Sequence, residues 1–292
     1  MTCAICHCPN VDTIYTGKIR DGKYGNYTCE MVDVYQCTQC GIIFHLASET
    51  PKKDCYETDS YRQMFGEKAS DYYSFHDNEV LPKLQYTGTA IFRDKIVADI
   101  GCGGGSFLDF VQGAAKKVIA VEPTRSFHPL LREKGYYTFA YSVQALEKFR
   151  NEVDVVTSFD VIEHVEHPLE FLRECYELCK SGGNIVIGTP SEQTITRQIL
   201  GGVFDQFLFQ TQHPWIFNEK SLRFMAEQAG FRNIEVKYKH RYGLGNLLAW
   251  LKYQKPMGNV SWDFVSNEMS AVWNAACESN GIADYLVLYA QK

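Results

Sequence analysis

A glycine-rich turn between an apolar run and an amphipathic segment constrains this chain more than any other feature. The run Val97–Ile100 carries an acid at Asp99, and glycines follow at positions 101, 103, 104 and 105. Glycine has no Cβ, so a turn of this composition lets a ligand approach backbone amides closely. The order is typical of a strand, a tight loop and a helix N-terminus, and it predicts a ligand site beyond the carboxyl end of a strand.

The length and charge of the chain limit its class. With 292 residues it can bury a full core and has room for one large domain and a smaller module. A net charge of −6 argues against non-specific nucleic-acid binding, which needs a basic surface, although a local basic patch would be compatible with it. No apolar run is long enough to span a bilayer and no targeting segment is evident, so we expect a cytoplasmic protein that acts away from membranes.

Eleven cysteines, an odd number, suit a reducing compartment and a metal better than a disulfide framework. Two CxxC pairs, Cys3–Cys6 and Cys37–Cys40, stand about thirty residues apart. Four thiolates at this spacing can close a tetrahedral shell with bonds of about 2.3 Å, the geometry of structural zinc. We therefore predict a zinc ribbon over residues 1–60, with Cys3, Cys6, Cys37 and Cys40 as ligands; four unlinked thiols in a small core are the alternative.

Strands and helices alternate from residue 96 onward, which predicts an α/β fold with a Rossmann-like, doubly wound sheet of seven strands. The predicted strands are residues 96–100, 117–121, 136–141, 153–159, 184–189, 234–240 and 285–290. A turn at residues 181–183 is expected before the fifth of them. The main domain would comprise residues 61–242 and 283–292.

Two further segments are predicted to be helical. Residues 243–282 interrupt the last two strands as an insertion that is either core or a substrate cap or dimer surface. Residues 56–95 are rich in aromatic side chains, among them Tyr61 and Phe65. They form either a cover for the sheet edge or a lid that brings Tyr72, Tyr73 or His76 to the ligand.

The order acid-x-Gly-x-Gly-x-Gly resembles motif I of the class I S-adenosylmethionine (SAM) methyltransferases. The dinucleotide-binding pattern would need a glycine at position 106, where Ser106 stands. The resemblance implies that SAM is the cofactor and S-adenosylhomocysteine the product. Its implied binding residues in this part of the chain are Asp99, Gly101, Gly103 and Gly105.

Two other strand ends would complete the SAM site. Glu122 lies twenty-one residues after Gly101, and the resemblance implies that it accepts both ribose hydroxyls. A solvated acid at a strand end is the alternative. Where the family often has an acid near the adenine, this chain has Ser142, so Ser142 or a backbone amide is expected to contact the base.

The segment from Ser158 to Pro168 resembles the one that follows the fourth strand in ubiquinone-type and sugar methyltransferases. The resemblance implies that Phe159 and Asp160 lie near the methionine part of SAM and that His164 faces the methyl group. Because an unperturbed histidine titrates near pH 6.5, His164 is a candidate general base. A hydrogen-bonded residue at a helix start is the alternative.

The segment from Gln212 to Asn218 also resembles these methyltransferases, and it makes His213 a second candidate, as base or as orienter of the acceptor. A packed loop histidine is the alternative. Related sugar C-methyltransferases carry a Glu-His pair at this position and begin with a CxxC…CxxC module. A tyrosine from their N-terminal region joins the pair, and Tyr72 is the candidate for it in this chain. Gln212 replaces that glutamate, which disfavours carbon methylation through an enolate.

These observations predict a SAM-dependent methyltransferase that acts on a small hydroxylated acceptor, an activated, nucleotide-linked sugar of polysaccharide or natural-product synthesis. The reaction would be in-line O-methylation, in which a histidine takes the acceptor proton. The alternatives are a sugar C-methyltransferase, an RNA base methyltransferase and a non-catalytic binding protein of the same fold. The zinc would be structural, and the chain a monomer or a homodimer.

Overall fold

The computed structural model describes residues 1–60, 63 and 72–292. The chain folds into two compact units. The first contains residues 1–50, 189–224 and 236–287, and the second contains residues 51–188, 225–235 and 288–292. The predicted aromatic positions Tyr61 and Phe65 lie outside the described residues.

The secondary structure alternates as the sequence predicts. The strands are β1 (Val11–Gly17), β2 (Val32–Cys37), β3 (Ile43–His45), β4 (Ile96–Ile100), β5 (Lys117–Val121), β6 (Tyr137–Phe139), β7 (Val153–Phe159), β8 (Cys179–Pro190), β9 (Trp215–Ile216), β10 (Arg232–Lys239) and β11 (Tyr285–Gln291). The described α-helices are α1 (Lys53–Glu57), α2 (Tyr72–His76), α3 (Val80–Thr87), α4 (Ser106–Val111), α5 (His128–Glu133), α6 (Ser142–Phe149), α7 (Pro168–Leu178), α8 (Ile195–Leu200), α9 (Gly202–Leu208), α10 (Glu219–Ala229), α11 (Leu244–Tyr253) and α12 (Asn267–Ser279).

The larger sheet has seven strands in the order β10-β11-β8-β7-β4-β5-β6, which confirms the predicted fold class. Strands β4 to β8 pair in parallel, and β4 lies between β5 and β7. The chain order therefore reverses at β4, the kind of switch point at which open α/β sheets bind ligands. Buried apolar residues of these strands, such as Val97, Ile119 and Val156, form the core around this point.

The small sheet belongs to the first unit and has the order β1-β2-β3-β9, with antiparallel pairing. Its core contains Ile19, Val34, Ile43, Phe209 and Ile216, all buried. Strand β9 comes from the segment after β8, so residues far apart in sequence build this sheet together.

One local prediction is wrong. The turn expected at residues 181–183 lies within β8. The amide of Gly182 donates to the carbonyl of Lys292 at 2.9 Å, and the amide of Lys292 donates to the carbonyl of Gly183 at 3.0 Å. This glycine-containing segment is therefore a strand because it pairs with the end of β11. A local sequence pattern does not reveal such a pairing.

The helical character of residues 243–282 agrees with the prediction, since α11 and α12 lie between β10 and β11. None of the described helices has the length and apolar character that a membrane crossing requires.

Candidate cofactor site and cysteine cluster

The glycine loop follows β4 in the second unit and leads into α4. Gly101, Gly103 and Gly105 have φ angles of +78°, +55° and +87°, where a side chain would be strained. A Cβ on Gly101 would lie 2.2 Å from Cγ2 of Val161, so the loop packs directly against the segment after β7. Both backbone conformation and space therefore require glycine at the first position of the loop.

Glu122 is a buried acid that holds this loop. Its side chain, only 4% exposed, follows β5. One carboxylate oxygen accepts from the amide of Gly103 at 2.7 Å, and the other accepts from the amide of Thr124 at 2.8 Å. Each oxygen keeps a second lone pair, so the carboxylate can fix the loop and still accept from ligand hydroxyls. Glu122 is therefore not a solvated strand-end acid.

Asp99 is the second buried acid of the site, 4% exposed on β4. Its Oδ1 accepts from the Thr157 hydroxyl at 2.7 Å. Burial raises the pKa of Asp99 to about 7, although the Thr157 hydrogen bond and the charge of Lys83 act in the opposite direction. An acid that titrates near neutrality lies beside the glycine loop as a result.

Asparagine at position 99 should stabilise the protein above neutral pH. The pKa of Asp99 is higher in the folded protein than its ordinary value of 3.8, so this group lowers the stability as pH rises between about 4 and about 7. Asparagine cannot ionise and escapes this loss. We expect the melting temperature of Asp99→Asn to exceed that of the wild type by several degrees at about pH 8, and the difference to shrink towards about pH 4.5.

Asp154→Asn is the matched control for thermal melts across this pH range. Burial raises the pKa of Asp154, but its bonds to Lys180 and to the amide of Ile96 outweigh burial and lower the pKa below the ordinary value. This carboxylate is stabilising at neutral pH, so its replacement should lower the melting temperature. If the melting temperatures of the wild type and Asp99→Asn changed with pH in the same way, the pKa of Asp99 would not be raised in the folded protein.

The predicted residues Phe159, the last of β7, and Asp160, the first after it, have different environments. The Phe159 ring is buried, with its centroid 5.4 Å from that of Phe107, so it belongs to the core that supports the site. Asp160 is half-buried and adopts a left-handed φ of +57°, and its amide donates to the carbonyl of Gly188 at 2.9 Å. This strained position turns the chain sharply at the end of the strand.

His164 is half-buried, and two residues near it were missed by sequence reasoning. The Tyr56 ring meets its imidazole edge-on, with centroids 5.9 Å apart. Burial raises the pKa of Tyr56, and the charge of Glu163, which is only 1% exposed, raises it further. Glu163 precedes His164 in the motif itself, a signal that could have found it; Tyr56 carried no signal beyond its aromatic-rich surroundings.

Tyr72, predicted to be catalytic, is buried against the glycine loop. Its hydroxyl accepts from the amide of Gly104 at 2.8 Å, and the Tyr73 hydroxyl donates to the carbonyl of the same glycine at 2.8 Å. Lys134 also donates to this carbonyl at 3.2 Å. These contacts hold the loop in shape, and a catalytic role for Tyr72 stays a prediction.

The hydroxyl of Ser142, the predicted adenine contact, donates to the carboxylate of Glu174. Its role also stays a prediction. Nearby, Glu57 accepts from Arg125 and from the Tyr141 hydroxyl, each at 2.7 Å. The loops after β5 and β6 are thus tied to the same short helix, α1, a link that the sequence did not reveal.

His213 lies in the first unit, half-buried after α9. The side-chain nitrogen of Gln210 lies 2.8 Å from its Nδ1 and 3.1 Å from its Nε2. The neighbouring Gln212 is fully buried, and its Oε1 accepts from the amide of Gly22 at 3.0 Å.

The four predicted cysteines come together in the first unit. The sulfur atoms of Cys3 and Cys40 are 3.8 Å apart, those of Cys6 and Cys37 are 3.4 Å apart, and all four lie within 4.8 Å of one another. A tetrahedral zinc site with bonds of about 2.3 Å has sulfur–sulfur edges of about 3.8 Å, so the cluster fits the metal. A hydrogen bond from Cys40 lowers the pKa of Cys3 to about 5, and the same bond raises the pKa of Cys40.

The seven-stranded sheet, with the glycine loop at its switch point and two buried acids, has the fold of the class I SAM-dependent methyltransferases. A family model described as a methyltransferase domain matches residues 72–236, more than half of the chain. The chain therefore belongs to the methyltransferase domain family. The prediction of a SAM-dependent methyltransferase is confirmed at the level of family and fold.

Curated relatives have similar sequences over part of their length. The ubiquinone biosynthesis O-methyltransferase of Dinoroseobacter shibae is 27% identical over 157 residues, which is 50% of this chain and 63% of that protein. The mitochondrial ubiquinone biosynthesis O-methyltransferase of Mus musculus is 28% identical over 118 residues, 37% of this chain and 32% of that protein. The chain thus spans 32% to 63% of the length of these relatives.

Solved structures show the same fold. A SAM-dependent methyltransferase from Archaeoglobus fulgidus aligns with a TM-score of 0.54 at 21% identity, over 80% of this chain and 100% of that chain. A possible histamine N-methyltransferase from Thermotoga maritima aligns with a TM-score of 0.51 at 17% identity, over 76% of this chain and 95% of that chain.

Proposed function

We propose that this chain transfers the methyl group of SAM to a hydroxyl oxygen of a small acceptor, and that the acceptor is an activated, nucleotide-linked sugar. The observation that carries the proposal is the pair of buried acids, Asp99 and Glu122, beside a glycine loop at the switch point of the sheet. Bound SAM supplies an electrophilic methyl group on a positively charged sulfur.

Glu122 and the loop glycines would hold this cofactor. Glu122 presents acceptor lone pairs for the ribose hydroxyls while it fixes the loop through Gly103. The glycines 101, 103 and 105 carry no side chains that would exclude the ligand, while their amides hold the loop by donating to the carbonyl of Val121, to Glu122 and to the carbonyl of Cys102. Asp99, ionised above about pH 7, supplies negative charge near the loop for the ammonium group of the methionine part.

The acceptor hydroxyl must lose its proton as its oxygen attacks the methyl group, and His164 or His213 is proposed to take or steer that proton. Tyr56 and Glu163 surround His164 in the second unit. The cysteine cluster is proposed to hold Zn²⁺ as a structural ion, because four thiolates leave no coordination position open for a substrate.

Two observations support the acceptor chemistry. The curated relatives named above are O-methyltransferases, which favours oxygen as the methylated atom. Gln212 contacts the amide of Gly22 and is no strong proton acceptor, so it gives no support to carbon methylation through an enolate. The sugar class rests on the pairing of a CxxC…CxxC module with this domain, as in the sugar methyltransferases that the sequence resembles.

Transfer of labelled methyl from SAM into a fractionated extract of the host tests this proposal. We expect label in the nucleotide-sugar fraction, and mass spectrometry then identifies the acceptor and its new methyl ether. Label in the RNA fraction, or in no fraction while SAM is bound, would overturn the proposed substrate class. A protein preincubated with excess S-adenosylhomocysteine serves as the control.

A further inference from the structure

Two consecutive tyrosines of α2 bond both backbone groups of Gly104 in the glycine loop, within the second unit. The hydroxyl of Tyr72 accepts from the Gly104 amide, and the hydroxyl of Tyr73 donates to the Gly104 carbonyl, each at 2.8 Å. The amides of the other three loop glycines bond within the loop or to residues 121 and 122. Position 104 is therefore a point at which α2, which comes from an earlier part of the chain, is joined to the loop.

The ring of Tyr72 fills the space that a side chain at position 104 would need. Gly104 does not share the left-handed φ of Gly103 and Gly105, so backbone strain does not exclude a side chain there. A Cβ on Gly104, however, would lie 2.7 Å from Cε1 of Tyr72 and 3.1 Å from the Tyr73 hydroxyl. Glycine is therefore needed at position 104 because the two tyrosines approach the loop so closely.

Lys134 joins the two tyrosines to the helix that follows the loop. Its ammonium group donates to the Tyr73 hydroxyl at 3.1 Å, to the Gly104 carbonyl at 3.2 Å and to Asp109 of α4 at 2.5 Å. Burial lowers the pKa of Lys134, but its bonds to Asp109 and Tyr73 outweigh burial and raise the pKa, so the group is charged at neutral pH. The Gly104 carbonyl thus accepts from a hydroxyl and from a charged amine.

Tyr72 also contacts the segment that follows Glu122. Its side chain is buried, and its ring centroid lies 5.0 Å from that of Phe127 and 4.3 Å from that of His76. Phe127 is the last residue of a short 3₁₀-helix after β5 (Arg125–Phe127). One ring therefore contacts both the glycine loop and the segment after β5, the two elements that carry the proposed cofactor residues.

We infer that Tyr72 and Tyr73 are positioning residues of the cofactor site, which hold the glycine loop in the shape that binds SAM, so that α2 and the cofactor stabilise each other. The role of this pair in SAM binding rests on the proposed function. It places Tyr72 in cofactor binding and not in the removal of the acceptor proton. Because coupling between two sites is reciprocal, the bound cofactor must in turn protect α2 from opening.

Calorimetric titration with S-adenosylhomocysteine measures the contribution of each hydroxyl. Tyr72→Phe and Tyr73→Phe keep the ring and remove a hydrogen bond to Gly104, so the affinity should fall by roughly 3- to 10-fold in each. Tyr137→Phe, which removes a hydroxyl from an exposed tyrosine at the amino end of β6, is the control and should bind as the wild type does. Wild-type affinity in both Tyr72→Phe and Tyr73→Phe would overturn the inference.

A double-substitution cycle tests the close approach of Tyr72 to Gly104. Gly104→Ala should reduce the affinity for S-adenosylhomocysteine by roughly 10-fold or more in the wild-type background, because the new methyl group displaces the Tyr72 ring. In the Tyr72→Ala background the ring is absent, and the same change should reduce the affinity by less than about 3-fold. Equal losses in the two backgrounds would mean that glycine at position 104 serves the ligand directly and would overturn the inference.

Hydrogen exchange of backbone amides tests the contact in the chain without acceptor. Without ligand, the Gly104 amide should exchange faster in Tyr72→Phe than in the wild type, and S-adenosylhomocysteine should slow exchange over residues 72–87 of the wild type. Unchanged exchange in both comparisons would overturn the inference. If a folded wild-type protein bound no S-adenosylhomocysteine, the proposed function would fail, and the exchange of the Gly104 amide would still decide whether Tyr72 holds the loop.

Methyl-transfer kinetics separate positioning from catalysis at Tyr72, with the extract fraction that the wild type labels as the source of acceptor. Tyr72→Phe should raise the KM for SAM by the same roughly 3- to 10-fold by which the affinity falls, and should change kcat less than KM. A kcat lowered by roughly 10²-fold or more, with wild-type affinity for S-adenosylhomocysteine, would make Tyr72 a catalytic residue and overturn the inference.

Discussion

Replacement of Glu122 by glutamine should weaken the binding of SAM by roughly 10- to 100-fold and leave the protein folded. An amide has one acceptor oxygen where the carboxylate has two, so it cannot accept from Gly103, Thr124 and two ribose hydroxyls together. Hydrogen bonds to a charged group contribute about 1.5–3 kcal/mol each, which corresponds to this loss of affinity. Calorimetric titration with S-adenosylhomocysteine measures it.

Glu177→Gln provides the control for this substitution. Glu177 is on α7, where its carboxylate forms an ion pair with Arg150 at the surface. The same chemical change therefore occurs outside the candidate cofactor site. Its affinity for S-adenosylhomocysteine should equal that of the wild type. An unchanged affinity in a folded Glu122→Gln protein would remove Glu122 from the cofactor site.

Replacement of Cys37 by serine should abolish zinc binding and unfold the small sheet. Cys37 is the last residue of β2 and is one of the four proposed ligands. Structural zinc contributes about 10–16 kcal/mol of apparent binding free energy, so the loss of one ligand removes much of the stability of this segment. We expect about one zinc per wild-type chain by atomic emission, none in Cys37→Ser, and rapid proteolysis of residues 1–50 in the variant.

Cys29→Ser is the matched control, because Cys29 is exposed and lies outside the cluster. Its zinc content and proteolysis pattern should equal those of the wild type. Zinc that persists in Cys37→Ser, or that disappears in both variants, would contradict the four-cysteine assignment.

The features that could be predicted from sequence are those encoded locally. Three features follow one another along the chain: the apolar run of β4, the glycines after it and the acid at the end of the next strand. Asp99, Gly101 and Glu122 could therefore be assigned to strand ends and the glycine loop from the sequence. The CxxC pairs are local in the same sense, and the structure brings all four sulfur atoms together.

The features that could not be predicted depend on contacts between distant segments. Tyr56 and Glu57 reach the site because α1 contacts the loops after β5 and β6, and Arg20 reaches Gln210 across 190 positions of sequence. The bond between Ser142 and Glu174 spans 32 positions. Side chains of this kind have no periodicity or motif of their own, so only the folded chain reveals their partners.

Calorimetric titration of the wild-type protein with S-adenosylhomocysteine decides whether the glycine loop and its two buried acids form a cofactor site. We expect saturable binding at one site per chain, with competition by SAM and loss in the Glu122→Gln protein. No detectable binding by a folded, zinc-containing protein would contradict the assignment of the glycine loop, Asp99 and Glu122 as a cofactor site.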